Sequence, residues 1–153
     1  MLYLAIDPGL ATGVAWLAFT QQPRFHSDII HDWYDVPDLV ERTIEKYGDE
    51  LQLIIERIEI RKNTHQLSNQ EEPRDIIGAV KFLARRHGIP LEIQTAGLMK
   101  SFNHKPSNHA KIKKLGWYKP GEGPDNDASG HLVSYLVNNP SPAGAWLRQE
   151  LAK

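Results

Sequence analysis

The chain has 153 residues, 41% of them hydrophobic and 24% charged, enough for one domain with a sizeable core. It has no cysteine and a net charge of −1, which excludes disulfides and thiolate-held zinc and leaves no whole-chain basic footprint of a nucleic-acid binder. No apolar run reaches membrane-spanning length, and Asp7-Pro8-Gly9 interrupts the N-terminal apolar stretch, so neither a membrane partner nor a secretory leader is expected and the cytoplasm is the expected location.

The first elements form a hairpin. Residues 2–6 read as a buried strand ending in Asp7 and the turn dipeptide Pro8-Gly9, and a second apolar run over 14–19 follows at once. A carboxylate at the tip of a buried strand is costly unless it is paired or holds a cation. Capping of the turn by its own side chain is the plainer alternative. A third strand lies within 24–33, where His26 and His31 have no partner at ligand spacing and read as strand-face residues. The spacing of Leu39, Val40, Thr43, Ile44 and Tyr47 predicts a helix over 36–47, opened by Asp35 and Pro37 and ended by Gly48. Residues 51–60 are the next strand. Its run Leu53-Ile54-Ile55 suits a central strand covered on both faces, and Glu56 then breaks that run, either as a solvated strand end or as a second inward carboxylate beside Asp7.

A polar loop over 61–72, a helix over 74–87 opened by Pro73, and a short strand over 90–95 complete a strand, helix, strand crossover. Residues 97–102 predict a short helix, and part of 103–123 reads as a flexible basic connection, long enough to be functional. No acid lies between Glu92 and Glu122, an interval that holds Lys100, Lys105, Lys111, Lys113, Lys114 and Lys119 with His104 and His109. Such asymmetry says more than the net charge. Lys100, Lys105, Lys111, Lys113 and Lys114 are the candidates to neutralise a phosphate backbone. Phe102, Trp117 and Tyr118 are either core aromatics or platforms for unpaired bases. A last long helix begins near Pro124, with Asp125 or Asn126 as N-cap and Ala128, Leu132, Val133, Leu136 and Val137 as its buried stripe. Asp127 and His131, four residues apart, share one side of it. Residues 142–153 predict a small terminal helix.

The reading is an α/β chain, one domain over 1–153 with its core at 2–137 and a tail at 140–153. Its acids Asp7, Glu56 and Asp127 each sit where an ordered element meets a cleft. Three carboxylates suit Mg²⁺, a hard cation that takes oxygen ligands. Two such ions can activate a water and stabilise the leaving oxygen of a phosphodiester.

Ala5-Ile6-Asp7-Pro8-Gly9 with Thr12-Gly13, then Ile54-Ile55-Glu56, then Asp127-Ala128 leading into a helix resemble the motifs of RuvC-type Holliday-junction resolvases. The likeness spans residues 2–137 and is closer to the short phage-type members than to the cellular enzymes, which suits a phage-encoded chain acting in its host's cytoplasm. The resemblance implies a ribonuclease H-like fold: a mixed five-stranded sheet, its first three strands antiparallel and the following ones parallel, flanked by helices. It also implies a homodimer that cleaves branched DNA, four-way junctions above all, with two Mg²⁺ ions per site or Mn²⁺ in their place, and with no nucleotide cofactor. Asp7, Glu56 and Asp127 match the family's catalytic, metal-binding acids. The family's fourth ligand lies three residues from the last of these, where this chain has Pro124 and Gly130. His131 is the preferred substitute, then Asp125. Competing readings are a flap or RNA nuclease of the same fold and a non-catalytic junction binder. Asp-x-Gly followed by Thr-Gly also opens the phosphate hairpin of actin-like ATPases and sugar kinases, but those close two domains over a nucleotide, and 153 residues supply one.

Overall fold

A computed structural model of the chain describes residues 1–58, 71–95, 108–121 and 123–153. The strands are β1 (Leu2–Asp7), β2 (Thr12–Ala18), β3 (Arg24–Ile30), β4 (Leu51–Arg57) and β5 (Leu91–Thr95). The helices are α1 (Asp35–Tyr47), α2 (Glu71–His87), α3 (Asn108–Lys114), α4 (Pro124–Asn138) and α5 (Pro142–Ala152), with a short 3-10 turn at Gly48–Glu50. The sheet order is β3-β2-β1-β4-β5. β1, β2 and β3 pair antiparallel, whereas β4 pairs parallel with both β1 and β5. This is the mixed sheet expected from the hairpin and the crossover.

Side chains alternate across a strand, and the sheet sorts them into two apolar layers. Leu2, Leu4, Ile6, Leu53 and Ile55 face α1 and α2, where Val40, Ile44, Ile76 and Val80 complete the packing. Tyr3, Ala5, Ala15, Leu17 and Ile54 face the other way, onto Ile112 of α3, Leu132 and Leu136 of α4, and Leu147 of α5. With both faces covered, the central strands read as continuous apolar runs. Asp7 and Glu56 continue the second set, so both carboxylates leave the sheet on the α4 side.

Parallel register carries the site. Ile6 is the partner of Ile55, and one step further brings Asp7 beside Glu56. Asp7 is also paired with Gly13 across the hairpin, and Glu56 with Gln94 on β5. Gly13, Asp7, Glu56 and Gln94 thus form one row across β2, β1, β4 and β5, at the end where β1, β4 and β5 finish. α4 crosses this row. A Cβ built on Gly13 would lie 1.9 Å from the Pro124 carbonyl oxygen and 2.7 Å from the Asp125 nitrogen. Only glycine admits the helix backbone so close.

Some boundaries differ from the sequence expectation, for local reasons. α2 begins at Glu71 and takes Pro73 into its first turn, because proline is tolerated there, where backbone N–H groups have no intrahelical partner. α4 is capped by Gly123 with Pro124 at its first position, not by Asp125 or Asn126. The Asn126 amide instead ties down the preceding turn, donating to the carbonyls of Lys119 at 3.0 Å and Gly121 at 2.9 Å. Part of the stretch read as a flexible basic connection is the helix α3, held to the core by the fully buried Ile112. α5 is capped by Ser141, whose hydroxyl accepts from the Gly144 N–H at 3.1 Å, and it buries Ala143 and Leu147 in the second layer. The helix expected over 97–102 and most of the loop expected over 61–72 lie outside the described residues. Among the described residues no helix is long and apolar enough to cross a membrane.

The close approach at Gly13 makes a direct prediction. Gly13→Ala forces the first turn of α4 off the hairpin and should lower the unfolding free energy by about 1–3 kcal/mol, the usual penalty of overpacking. A urea unfolding midpoint equal to that of the wild type would show that α4 does not depend on this approach.

Candidate active site

Two carboxyls meet at the centre of the row. The Asp7 carboxyl is hydrogen-bonded to Glu56, and its pKa is pushed up to about 9. Burial is the largest cause, followed by the hydrogen bond to Glu56 and then by the negative charges of Glu56 and Asp127. For Glu56 burial works in the same upward direction, but hydrogen bonds from His131 and from Asp7, with the electrostatic pull of His131, outweigh it and hold this carboxyl below its ordinary range. Without a cation, one proton therefore stays on the pair, carried by Asp7 and donated to Glu56.

α4 supplies the remaining groups in successive turns. Pro124 rests on Gly13, Asp127 lies near enough to Asp7 to act on its charge, and His131 reaches Glu56. His131 is fully buried. Its Nε2 is 3.0 Å from Glu56 Oε2 and its Nδ1 is 2.8 Å from Gln94 Oε1, so both ring nitrogens are engaged. Asp127 is half-exposed and its Oδ1 is 3.0 Å from His109 Nε2, on α3. Asp125, the other candidate for a fourth ligand, is buried and turned toward Lys119, whose Nζ is 3.4 Å from its Oδ2.

The structure thus brings Asp7, Glu56, Asp127 and His131 together and leaves Asp125 beside Lys119. Lys111 donates to Asn108 Oδ1 at 3.1 Å, Lys113 lies 4.5 Å over the Tyr118 ring, and Lys114 donates to the Leu151 carbonyl at 2.6 Å. All three are on α3, the helix that carries His109. Trp117 stacks on Phe25 with ring centres 4.2 Å apart, and the Tyr118 hydroxyl donates to the Gly121 carbonyl at 3.1 Å. Both rings pack against the second apolar layer. Lys100, Lys105 and Phe102 lie outside the described residues. An apolar cleft of about 460 Å³, walled by Trp16, Leu39 and Tyr47, opens on the α1 side of the sheet, away from these carboxyls.

Two residues of this cluster do not stand out in the sequence. His109 is visible there only as one base in a basic interval, because nothing in the local pattern places α3 against Asp127. Gln94 leaves a fainter mark: a polar residue at the end of a strand whose parallel register with β4 pairs it with Glu56.

The donor set suits Mg²⁺ or Mn²⁺, being rich in carboxylate oxygen. Among the described residues no three His, Asp or Glu side chains enclose a metal-sized space as they stand, since Asp7 and Glu56 are hydrogen-bonded to each other and Asp127 is turned to His109. The fit rests on the first pair. Two half-buried carboxyls held together by a proton are a site where a divalent cation relieves the repulsion that keeps the proton there.

The chain superposes on RuvC of Thermus thermophilus in complex with Holliday junction substrate with a TM-score of 0.65, over 88% of this chain and 92% of that one, at 17% identity. The fold is that of RuvC. A second Thermus thermophilus RuvC structure matches with a TM-score of 0.63 at 16% identity, over 88% of this chain and 93% of the other. This RuvC-like fold is the ribonuclease H-like mixed sheet expected from the motifs. No protein-family model and no curated protein matches the sequence.

The carboxyl pair in this RuvC-like chain makes a pH-dependent prediction. The folded protein binds the Asp7 proton more tightly than the unfolded chain does. That contribution to stability is complete below the ordinary aspartate range and is lost as pH rises toward about 9. In the presence of chelator, Asp7→Asn should therefore melt higher than the wild type at pH 8, by at least about 2–4 °C, the equivalent of ~1 kcal/mol in a domain of this size. The gain should vanish as pH falls toward ~4. A variant that melts lower than the wild type at pH 8 would remove the strained pair from the site.

Proposed function

We propose that this chain is a metal-dependent endonuclease that resolves four-way DNA junctions and other branched DNA. The observation that carries this reading is the row itself: Asp7 and Glu56 side by side at the ends of parallel strands, with Asp127 on α4 near enough to act on the charge of Asp7, on a RuvC-like fold. Asp7, Glu56 and Asp127 would hold the ions, with Asp7 and Glu56 both half-buried at the strand ends. When bound, Mg²⁺ or Mn²⁺ supplies the charge that activates a water and stabilises the leaving oxygen of the phosphodiester. The chain's own residues do the rest. The apolar layer beneath Asp7 and Glu56 excludes bulk water and strengthens their interactions. His109 holds Asp127 in place. Lys111, Lys113 and Lys114, on the same helix as His109, supply positive charge for the DNA backbone. Two copies acting as a homodimer suit paired nicks across a two-fold junction.

The test is a gel assay on a synthetic four-way junction with Mg²⁺, with Mn²⁺ and with chelator. Paired symmetric nicks that need metal and are abolished by Asp7→Asn, while that variant still binds the junction, are the expected result. Metal-dependent cutting of flaps or structured RNA but not junctions would keep the three acids and replace the substrate. Tight junction binding with no cutting under any metal would leave a binding protein.

The lysines are tested separately. Replacing Lys111, Lys113 and Lys114 together by Gln should weaken junction binding and flatten the plot of log affinity against log salt by up to ~0.9 for each phosphate no longer neutralised. An unchanged slope would take α3 out of the DNA interface.

A further inference from the structure

β5 buries the wrong kind of residue for a strand against a core helix. Of its five residues only Gln94 is buried, at 5% exposure, while Ile93 is 42% exposed. Facing it, α4 buries an imidazole, His131, among Ala128, Ser129, Leu132, Val133 and Ser134. A buried amide and a buried imidazole are each costly unless hydrogen-bonded. They satisfy one another, at 2.8 Å, and the only remaining ring nitrogen, Nε2, is 3.0 Å from Glu56. A carboxylate only accepts, so Nε2 donates to Glu56 Oε2. The Gln94 amide can turn either its oxygen or its nitrogen to Nδ1 and so serves the ring as donor or acceptor. Gln94 is also the register partner of Glu56. The amide and the carboxylate therefore leave adjacent strands side by side, and His131 bridges their ends.

We infer that His131, braced by Gln94, is a positioning residue that fixes the orientation of Glu56 for metal binding and is not itself a ligand. This rests on the metal-dependent reading above. A histidine at 0% exposure with both nitrogens engaged has no lone pair to offer an ion unless it breaks one of these bonds. The same bonds tie Oε2 of Glu56 to His131, so the carboxylate that also meets Asp7 has a fixed orientation. Outer partners of this kind typically contribute 10–100-fold to metal affinity.

The experiment measures Mn²⁺ binding by calorimetry and by electron paramagnetic resonance, on full-length wild type and variants, with thermal melting to confirm that each is folded. His131→Gln keeps an amide nitrogen near the position of Nε2 and can still donate to Glu56. His131→Asn keeps one near Nδ1 and cannot. His131→Asn is expected to bind Mn²⁺ about 10–100-fold more weakly at unchanged stoichiometry, and His131→Gln to recover to within ~3-fold of the wild type. Gln94→Leu, one bond further from the site, covers the case in which the buried His131 variants fail to fold. It should weaken Mn²⁺ binding in the same direction with no loss of stoichiometry. Wild-type affinity in both His131→Asn and Gln94→Leu would overturn the positioning role and leave the metal reading intact. A lost binding equivalent in both His131 variants would overturn it too, by making His131 a ligand. No Mn²⁺ uptake by the wild type would overturn the metal reading itself, and the positioning role with it.

Discussion

The close approach of α4 to the hairpin at Gly13 sets the geometry of everything around it. A helix normally rests on a sheet through side chains, at a distance that leaves room for a side chain between. Here the Pro124 carbonyl occupies the space a Cβ on Gly13 would need. That approach pins the start of α4 at one end of the row formed by Gly13, Asp7, Glu56 and Gln94. The helix pitch then places the later residues of α4 along the row. One turn on, Asp127 comes near Asp7, and a further turn on, His131 comes down between Glu56 and Gln94. Burial of Ala128, Leu132, Val133 and Leu136, all at 0% exposure, holds the helix there. At about 1.5–3 kcal/mol for each large apolar side chain, this seating is strong enough to keep polar groups of the same helix buried beside it.

The seating creates an electrostatic conflict that the protein resolves unequally. Asp7 and Glu56 are partly buried side by side and cannot both ionise cheaply. His131 helps tip the balance by hydrogen-bonding to Glu56 and not to Asp7, so Glu56 keeps the charge and Asp7 keeps the proton. Two like groups in one site thus have opposite preferences: burial raises Asp7 most, while hydrogen bonds from His131 and Asp7 lower Glu56. Stability is sacrificed at this spot, as it often is where a fold prepares a ligand site. The α3 helix contributes from the other side, where His109 occupies Asp127 and three lysines follow within five residues. Part of the charge asymmetry that the net value of −1 conceals thus lies on the helix that carries His109.

Much of the fold is legible in the order of residues because local signals agree with one another. Leu2 to Ile6 ending in Asp7-Pro8-Gly9 is a strand with a stop, Leu53-Ile54-Ile55 is a strand covered on both faces, and the helical stripes of α1, α2 and α4 are plain. Asp7 and Glu56 stand out because each is an acid that breaks an apolar strand, and Asp127 because Asp127-Ala128 opens the last long helix as in the RuvC-type motifs. The short helix α3 is less legible, since a seven-residue segment with one buried apolar anchor, Ile112, has almost no periodicity. Trp117 and Tyr118 are ambiguous for the same reason: an aromatic pair in a polar stretch carries no sign of which partner, Phe25 or a base, takes its face.

By itself, the sequence determined the strands and main helices and a central strand covered on both faces, because alternation, helical periodicity and turn chemistry act over a few residues, and it marked Asp7, Glu56 and Asp127 as candidates through their motifs. Only the tertiary structure decided which acid keeps the proton, which partner His131 chooses, and that His109 and Gln94 belong to the cluster at all. Those outcomes depend on the register of β1, β4 and β5 and on where α3 and α4 are seated. They are distances between residues far apart in the chain, such as Glu56 and His131 at 75 positions, and no local pattern encodes such a distance.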